Sequence, residues 1–200
     1  MMKRSVIGLF VVGIFAMVFI AGCTSIKDTP ITNITVPGQN IIYSFNSDIR
    51  QSILVKSDDE GAIRGLFYNE SLMTFVFNGT SPTDNSMFYV AAYDTVQKIP
   101  TYLAYQGHSL QVDKYYFLDA GGPDGVVWYN STGDNITKPD MQGIVLWLKG
   151  PQTGANETSV GLAGKTITIQ GMSAKNLSMA ADKLALVVFG ITDLSQIKTG

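Results

Sequence analysis

One cysteine, Cys23, and one histidine, His108, stand in a chain of 200 residues. No disulfide within the chain and no multi-histidine or cysteine zinc site can therefore brace the fold. Burial of apolar surface has to hold it, and 46% hydrophobic against 15% charged residues allows that. The apolar residues are unevenly placed. Met1-Met2-Lys3-Arg4 makes a short basic start, residues 6–20 are almost wholly apolar, and Ala21 and Gly22 precede Cys23. A basic segment, an apolar segment and a small-residue cleavage site together read as a secretory signal over residues 1–22. Removing it leaves 178 residues, one ordinary domain with a sizeable core.

The ending Ile20-Ala21-Gly22-Cys23 resembles the lipobox of prokaryotic membrane lipoproteins. That resemblance implies that Cys23 carries a lipid, becomes the mature N-terminus and tethers the domain to the outer face of a membrane. Two other readings stay open. The apolar run of about 17 residues meets the lower edge of the ~17–25 that cross a bilayer, so a retained helix is the second. Lys3-Arg4-Ser5 before an apolar stretch resembles an archaeal prepilin cleavage site, although the run lacks the early polar residue usual in pilin helices.

Lys3 and Arg4 lie in the leader, so the mature part holds 12 bases and 16 acids, net −4. A mildly acidic chain with no basic block is a poor partner for nucleic acid. Seven of the ten asparagines begin an Asn-x-Ser/Thr triplet: Asn33, Asn69, Asn78, Asn130, Asn135, Asn156 and Asn176. Random placement of this composition would give about 1.6 such triplets. Turn chemistry alone clusters Asn, Ser and Thr, but seven triplets exceed that, and N-glycosylation of surface loops is the expectation. Lipobox and dense acceptor sites together point to an archaeal envelope.

Residues 23–39 are polar and punctuated by Pro30, Pro37 and Gly38, which reads as a lipid-anchored tether; 31–36 within it also reads as an exposed first edge strand. The domain then occupies 40–200. Short apolar runs at 41–45, 52–56, 62–68, 72–77, 87–93, 102–105, 115–118, 125–129, 143–148, 166–169 and 184–189 read as strands, with Asn69-Glu70-Ser71 turning one hairpin. Only 173–182 has a capped start and helical spacing, for two turns at most. The expectation is an all-β fold, a single immunoglobulin-like or jelly-roll-like sandwich, mostly antiparallel, with at most that short helix.

No catalytic residue stands out. His108 lies in a glycine-containing turn with no Gly-x-Ser-x-Gly elbow, and Glu60, Glu70 and Glu157 each lie in an expected turn. Asp119, Asp124 and Asp134 lie in acid- and glycine-rich loops suited to calcium, without the EF-hand spacing, and no metal or cofactor is expected. Tyr115, Tyr116, Trp128 and Tyr129 sit on neighbouring expected strands, where alternation sends one of each pair outward to stack on a glycan or a partner protein. The functional expectation is a surface-displayed, glycosylated module without catalysis, structural or adhesive or accessory to an envelope complex. A solute- or glycan-binding lipoprotein, a filament subunit pairing through 31–36, and a surface hydrolase are the alternatives.

Intact-mass analysis of the native protein from its own membranes is expected to show a chain that begins at lipidated Cys23 and carries hexose. An unmodified chain retaining residues 1–22 would show that the leader is a helix anchor.

Overall fold

The computed structural model of the chain describes residues 32–36, 38–78, 86–122, 125–150 and 153–199. The leader, Cys23 and the tether up to residue 31 lie outside the described residues. The fold is not an all-β sandwich: it is mixed α/β, with two sheets and four α-helices among the described residues. The larger sheet has eight strands. Its centre is β10 (Thr166–Gln170), β8 (Ile144–Lys149), β4 (Leu72–Asn78) and β5 (Gln111–Gly122), all mutually parallel. Antiparallel β9 (Ser159–Ala163) flanks β10, with β3 (Lys56–Ser57) outside it; β6 (Gly125–Tyr129) and β7 (Asn135–Ile136) extend the other side. The smaller sheet orders β11 (Lys198–Thr199), β1 (Thr32–Thr35) and β2 (Ile42–Phe45), antiparallel throughout. The segment expected as an open edge strand is therefore the middle strand of three.

Five segments expected as strands are wholly or mostly helical. Residues 52–56 lie mostly in α1 (Ile49–Leu54), and 62–68 lie in α2 (Glu60–Asn69). Residues 87–93 and 102–105 are the two ends of one helix, α3 (Ser86–Tyr105). Residues 184–189 finish α4 (Ala174–Phe189), far longer than two turns. Local chemistry explains each. Asp59 caps α2 by accepting the Ala62 N–H at 3.0 Å, Glu60 favours the positive end of the helix dipole, and Ile63 and Phe67, four apart, are buried. Asn69-Glu70-Ser71 is thus a helix-to-strand joint, not a hairpin turn. Ser173 caps α4 by accepting the Asn176 N–H at 3.2 Å, and Gly190 ends it at φ 72°, where a residue with a side chain is strained.

Helix α4 is the centre of the molecule. All its residues from Ala180 to Phe189 are buried. Phe189 meets Tyr43 of β2 and Tyr102 of α3 at ring separations of 4.8 and 4.5 Å. Its two consecutive charges reach different neighbours: Asp182 meets Lys98 of α3, and the Lys183 Nζ lies 2.7 Å from Glu60 of α2 and donates to Ile53 O at 3.2 Å.

Alternation along the strands sorts two faces. Met73, Phe75 and Phe77 of β4 join Ile144, Leu146 and Leu148 of β8 in the main core, shared with all four helices. Val76, Leu118 and Val145 form a separate small cluster on the other face, with Trp128, Met141 and Trp147 packed on it. Residues 137–143 return the chain from β7 at the sheet edge to β8 at its centre, and Met141 belongs to that stretch. Among the described residues no helix is long and apolar enough to cross a membrane.

The start of β8 depends on Gly143, at φ 70°, where an added Cβ would fall 2.1 Å from the Leu72 carbonyl oxygen. Gly143→Ala is expected to destabilise by about 2–4 kcal/mol, from strain plus displacement of β4. Gly164→Ala, at φ 61° with open space around it, is expected to cost only about 1–2 kcal/mol. Urea denaturation of the two variants checks this; equal losses would mean that the close approach to Leu72 carries no weight.

Candidate functional site: a cleft between a sheet edge and a helix

Strand β2 alternates. Tyr43 and Phe45 turn into the core against Phe189, while Ile42 and Ser44 are exposed. As the outer strand of the small sheet, β2 has a free edge among the described residues. Helix α3 lies across a gap from β2 and presents Tyr93, Asp94, Gln97, Lys98 and Thr101 to it, a set whose spacing of one, three and four marks one helix face. Residues 41–44 with Asn46 form one wall and this helix face the other, enclosing a cleft of about 410 Å³.

Charge lies at the bottom of the cleft. The Lys98 Nζ is 2.8 Å from Asp182 Oδ1 and 3.8 Å from Asp94 Oδ2, and it sits 4.4 Å above the Phe45 ring. Side-chain exposure is only 4% for Lys98, 9% for Asp94 and 1% for Asp182. The Asn46 amide donates to both Asp94 oxygens, at 3.1 and 3.2 Å. Asp182 also accepts from the Ser47 hydroxyl, which in turn lies 2.9 Å from Ser52 Oγ. Ser47 and Lys98 thus supply the deepest carboxylate with donors, as burial requires, and Ser52 meets Ser47 behind them.

Two carboxylates face one ammonium, so the cluster carries a net charge of −1 when all are ionised. Desolvation raises the Asp182 carboxyl above its ordinary range, against the pull of Lys98 and the Ser47 hydrogen bond. Desolvation also raises Asp94; Lys98 opposes this, Asp182 adds to it, and the Asn46 bond opposes it. Burial, with the nearby Tyr105, pushes the Tyr43 phenol up to about 12. Its hydroxyl donates to Gln39 Oε1 at 2.6 Å. Tyr43 is therefore a neutral donor already committed to Gln39, and Lys98 is held between Asp182 and Asp94. The arrangement suits recognition of a positively charged group at Asp94. Ser47, the hydroxyl bonded to Asp182, is fully buried and does not line the cleft.

The residues expected from the sequence lie elsewhere. Asp124 is outside the described residues. Asp119 is on β5 opposite Val127. Asp134 is taken up in a tight turn, accepting from Thr132 Oγ1 at 2.5 Å and Asn130 Nδ2 at 3.0 Å; these bonds hold its carboxyl below the usual range. Among the described residues no three His, Cys, Asp or Glu side chains gather as metal ligands. Tyr115 stacks on Phe75 at 5.4 Å and Tyr129 packs on the same main core, whereas Tyr116 and Trp128 take the opposite face. These four side chains divide between two faces and do not form one aromatic row. His108 is structural: its Nε2 donates to Glu70 O at 2.9 Å, tying the α3–β5 connection to the α2–β4 joint.

The acceptor asparagines are not all on loops. Asn33 on β1, Asn69 at the end of α2, Asn135 and Asn156 are exposed. Asn130 is half-buried in the tight turn, and Asn176, half-buried in the first turn of α4, donates to Thr158 Oγ1 at 2.8 Å. Asn78 is only 6% exposed at the end of β4.

Sequence reasoning missed Asn46, Asp94, Lys98 and Asp182. A signal existed: Asp94 and Lys98 are four apart, and Asp182-Lys183 interrupts an apolar run, which flags charges that burial must satisfy. Compared with known proteins, the chain matches no family model, no curated protein and no solved structure.

Lys98→Ala is expected to destabilise by about 3–5 kcal/mol at pH 7, because it leaves Asp182 buried without its partner. Losing Lys98 raises the Asp182 carboxyl further, so the folded variant binds a proton that the unfolded chain releases. The loss is then fully present above that raised value and shrinks as pH falls toward 4. Urea denaturation of wild type and variant at pH 7 and pH 4.5 checks it; an identical loss at both would mean that Asp182 is not the group left unpaired.

Proposed function

We propose that this chain is a lipid-anchored domain on the outer face of an archaeal-type cell membrane, and that it works by binding, not catalysis, through the cleft between β2 and α3. The observation that carries the binding reading is the position of the buried charges. Burying an ion pair adds little to stability, and an apolar pair of similar volume often does better. Here Asp94 and Lys98 are buried and yet line an open cleft, where charge serves recognition.

The anchoring reading rests on the leader and Cys23, and the described fold is compatible with it. The first strand begins at Thr32, nine residues past Cys23. That length of chain reaches at most about 30 Å, so a lipid on Cys23 would hold the domain close to the bilayer. Asn33, Asn69, Asn135 and Asn156, exposed in the fold, are the acceptors best placed for glycans.

Cys23→Ser expressed in an archaeal host is expected to move the protein from the membrane fraction to the medium, while wild type stays membrane-bound and is cleaved by protease added to intact cells. Retention of the variant in the membrane would replace the lipid anchor by a retained helix. Protection from external protease would remove the surface location.

A further inference from the structure

We propose that the cleft takes an extended peptide of a partner protein, laid as an added strand against β2 with a Lys or Arg side chain at Asp94. This rests on the reading of the cleft as a binding site and names its ligand.

The shape comes first. Four successive residues, Ile41 to Ser44, line one wall, and β2 is hydrogen-bonded on its β1 side only among the described residues. An edge strand presents a row of free N–H and C=O groups that pair with any chain laid alongside. A helix face set opposite such an edge turns it into a groove, and strand addition in a groove of this kind takes affinity from the main chain and specificity from side-chain contacts. Four residues of β2 run about 13 Å, enough to pair with a short peptide. Ile42, 61% exposed, offers apolar area that an added strand would cover.

Charge then selects the occupant. Lys98 is committed to Asp182 at 2.8 Å and stands 3.8 Å from Asp94. Asp94 otherwise accepts from the neutral Asn46 amide, so the cleft keeps an uncompensated negative charge. A ligand ammonium or guanidinium would complete it, and Tyr93, 62% exposed on the same helix face, offers a ring for the cation to lie against. A second copy pairing through its own β2 does not supply that cation. Residues 39–49 contain no Lys or Arg and include Asp48. Two β2 edges brought together would add negative charge to a cleft that already has an excess.

The test selects random 12-residue peptides displayed on phage against the full chain in detergent micelles. The most enriched sequence is then measured as a labelled synthetic peptide by fluorescence anisotropy. Enriched peptides are expected to carry Lys or Arg between alternating β-branched residues, and Asp94→Asn to weaken binding at least tenfold. N-methylation of alternate backbone amides in the peptide should abolish binding; because this changes only the ligand, folding of a variant cannot confuse it. Failure to enrich basic peptides, or indifference to both changes, overturns strand addition. Lysine methyl ester binding as tightly as the peptide would replace the peptide by a small amine and leave the cleft a binding site. Concentration-dependent dimerisation without peptide binding would replace it by a second copy. Neither result bears on the lipid anchor, which the Cys23→Ser fractionation reads separately.

Discussion

Asp182 lies in the middle of a helix whose residues are buried on every side from Ala180 to Phe189. A carboxylate there must have its lone pairs met by protein groups, and the surrounding elements are arranged to do so. Lys98 brings α3 against α4, Ser47 and Ser52 bring the start of α1, and one residue on, Lys183 draws in Glu60 of α2. Phe189, at the end of the same helix, carries the small sheet through Tyr43 and Phe45. Helix α4 thus touches the small sheet, the other three helices and the large sheet.

The cleft follows from that arrangement. Lys98 turns toward Asp182, and α3 is thereby held beside the edge of β2, with Asp94 left facing the gap. An apolar side chain in place of Lys98 would pack well enough elsewhere in a core. At this position it would leave both carboxylates without a cation. The charges therefore shape the cleft and, when both carboxylates are ionised, give it a negative sign beside a strand edge that is free among the described residues.

Much of the large sheet was legible. The runs read at 72–77, 115–118, 125–129 and 166–169 lie in β4, β5, β6 and β10, and 143–148 starts one residue before β8. Their β-branched and aromatic residues fit a pleated surface whichever way the neighbouring strand runs. The helices were not legible, for separate reasons. In α3, Pro100 sits inside the helix and reads as a break. In α2, aromatic and glycine residues obscured a sound signal, the Asp59 cap with Ile63 and Phe67 four apart. In α4, the run Leu184 to Phe189 is apolar throughout, a pattern shared by a strand buried on both faces and a helix buried all round. Three helices and the last turns of a fourth, read as strands, turned an α/β domain into an expected sandwich. The site was lost with them, because Asp94 and Lys98 meet the cleft on one helix face and would point to opposite faces of nothing in a loop.

By itself the sequence determined what can be written into a local pattern. The basic, apolar and small-residue order up to Cys23, the seven Asn-x-Ser/Thr triplets and the period-two alternation of Thr166 to Ile169 all depend on neighbours within a few residues, and a single cysteine and a single histidine exclude a disulfide within the chain and a multi-histidine site. Tertiary structure decided which runs coil, which strands lie parallel, and which asparagine is buried, as Asn78 is. It also decided the site, since Asn46, Asp94, Lys98 and Asp182 span most of the domain in sequence. Their meeting rests on desolvation: a charge that no local pattern satisfies recruits partners from distant segments, and only the packed chain brings those segments within 4 Å.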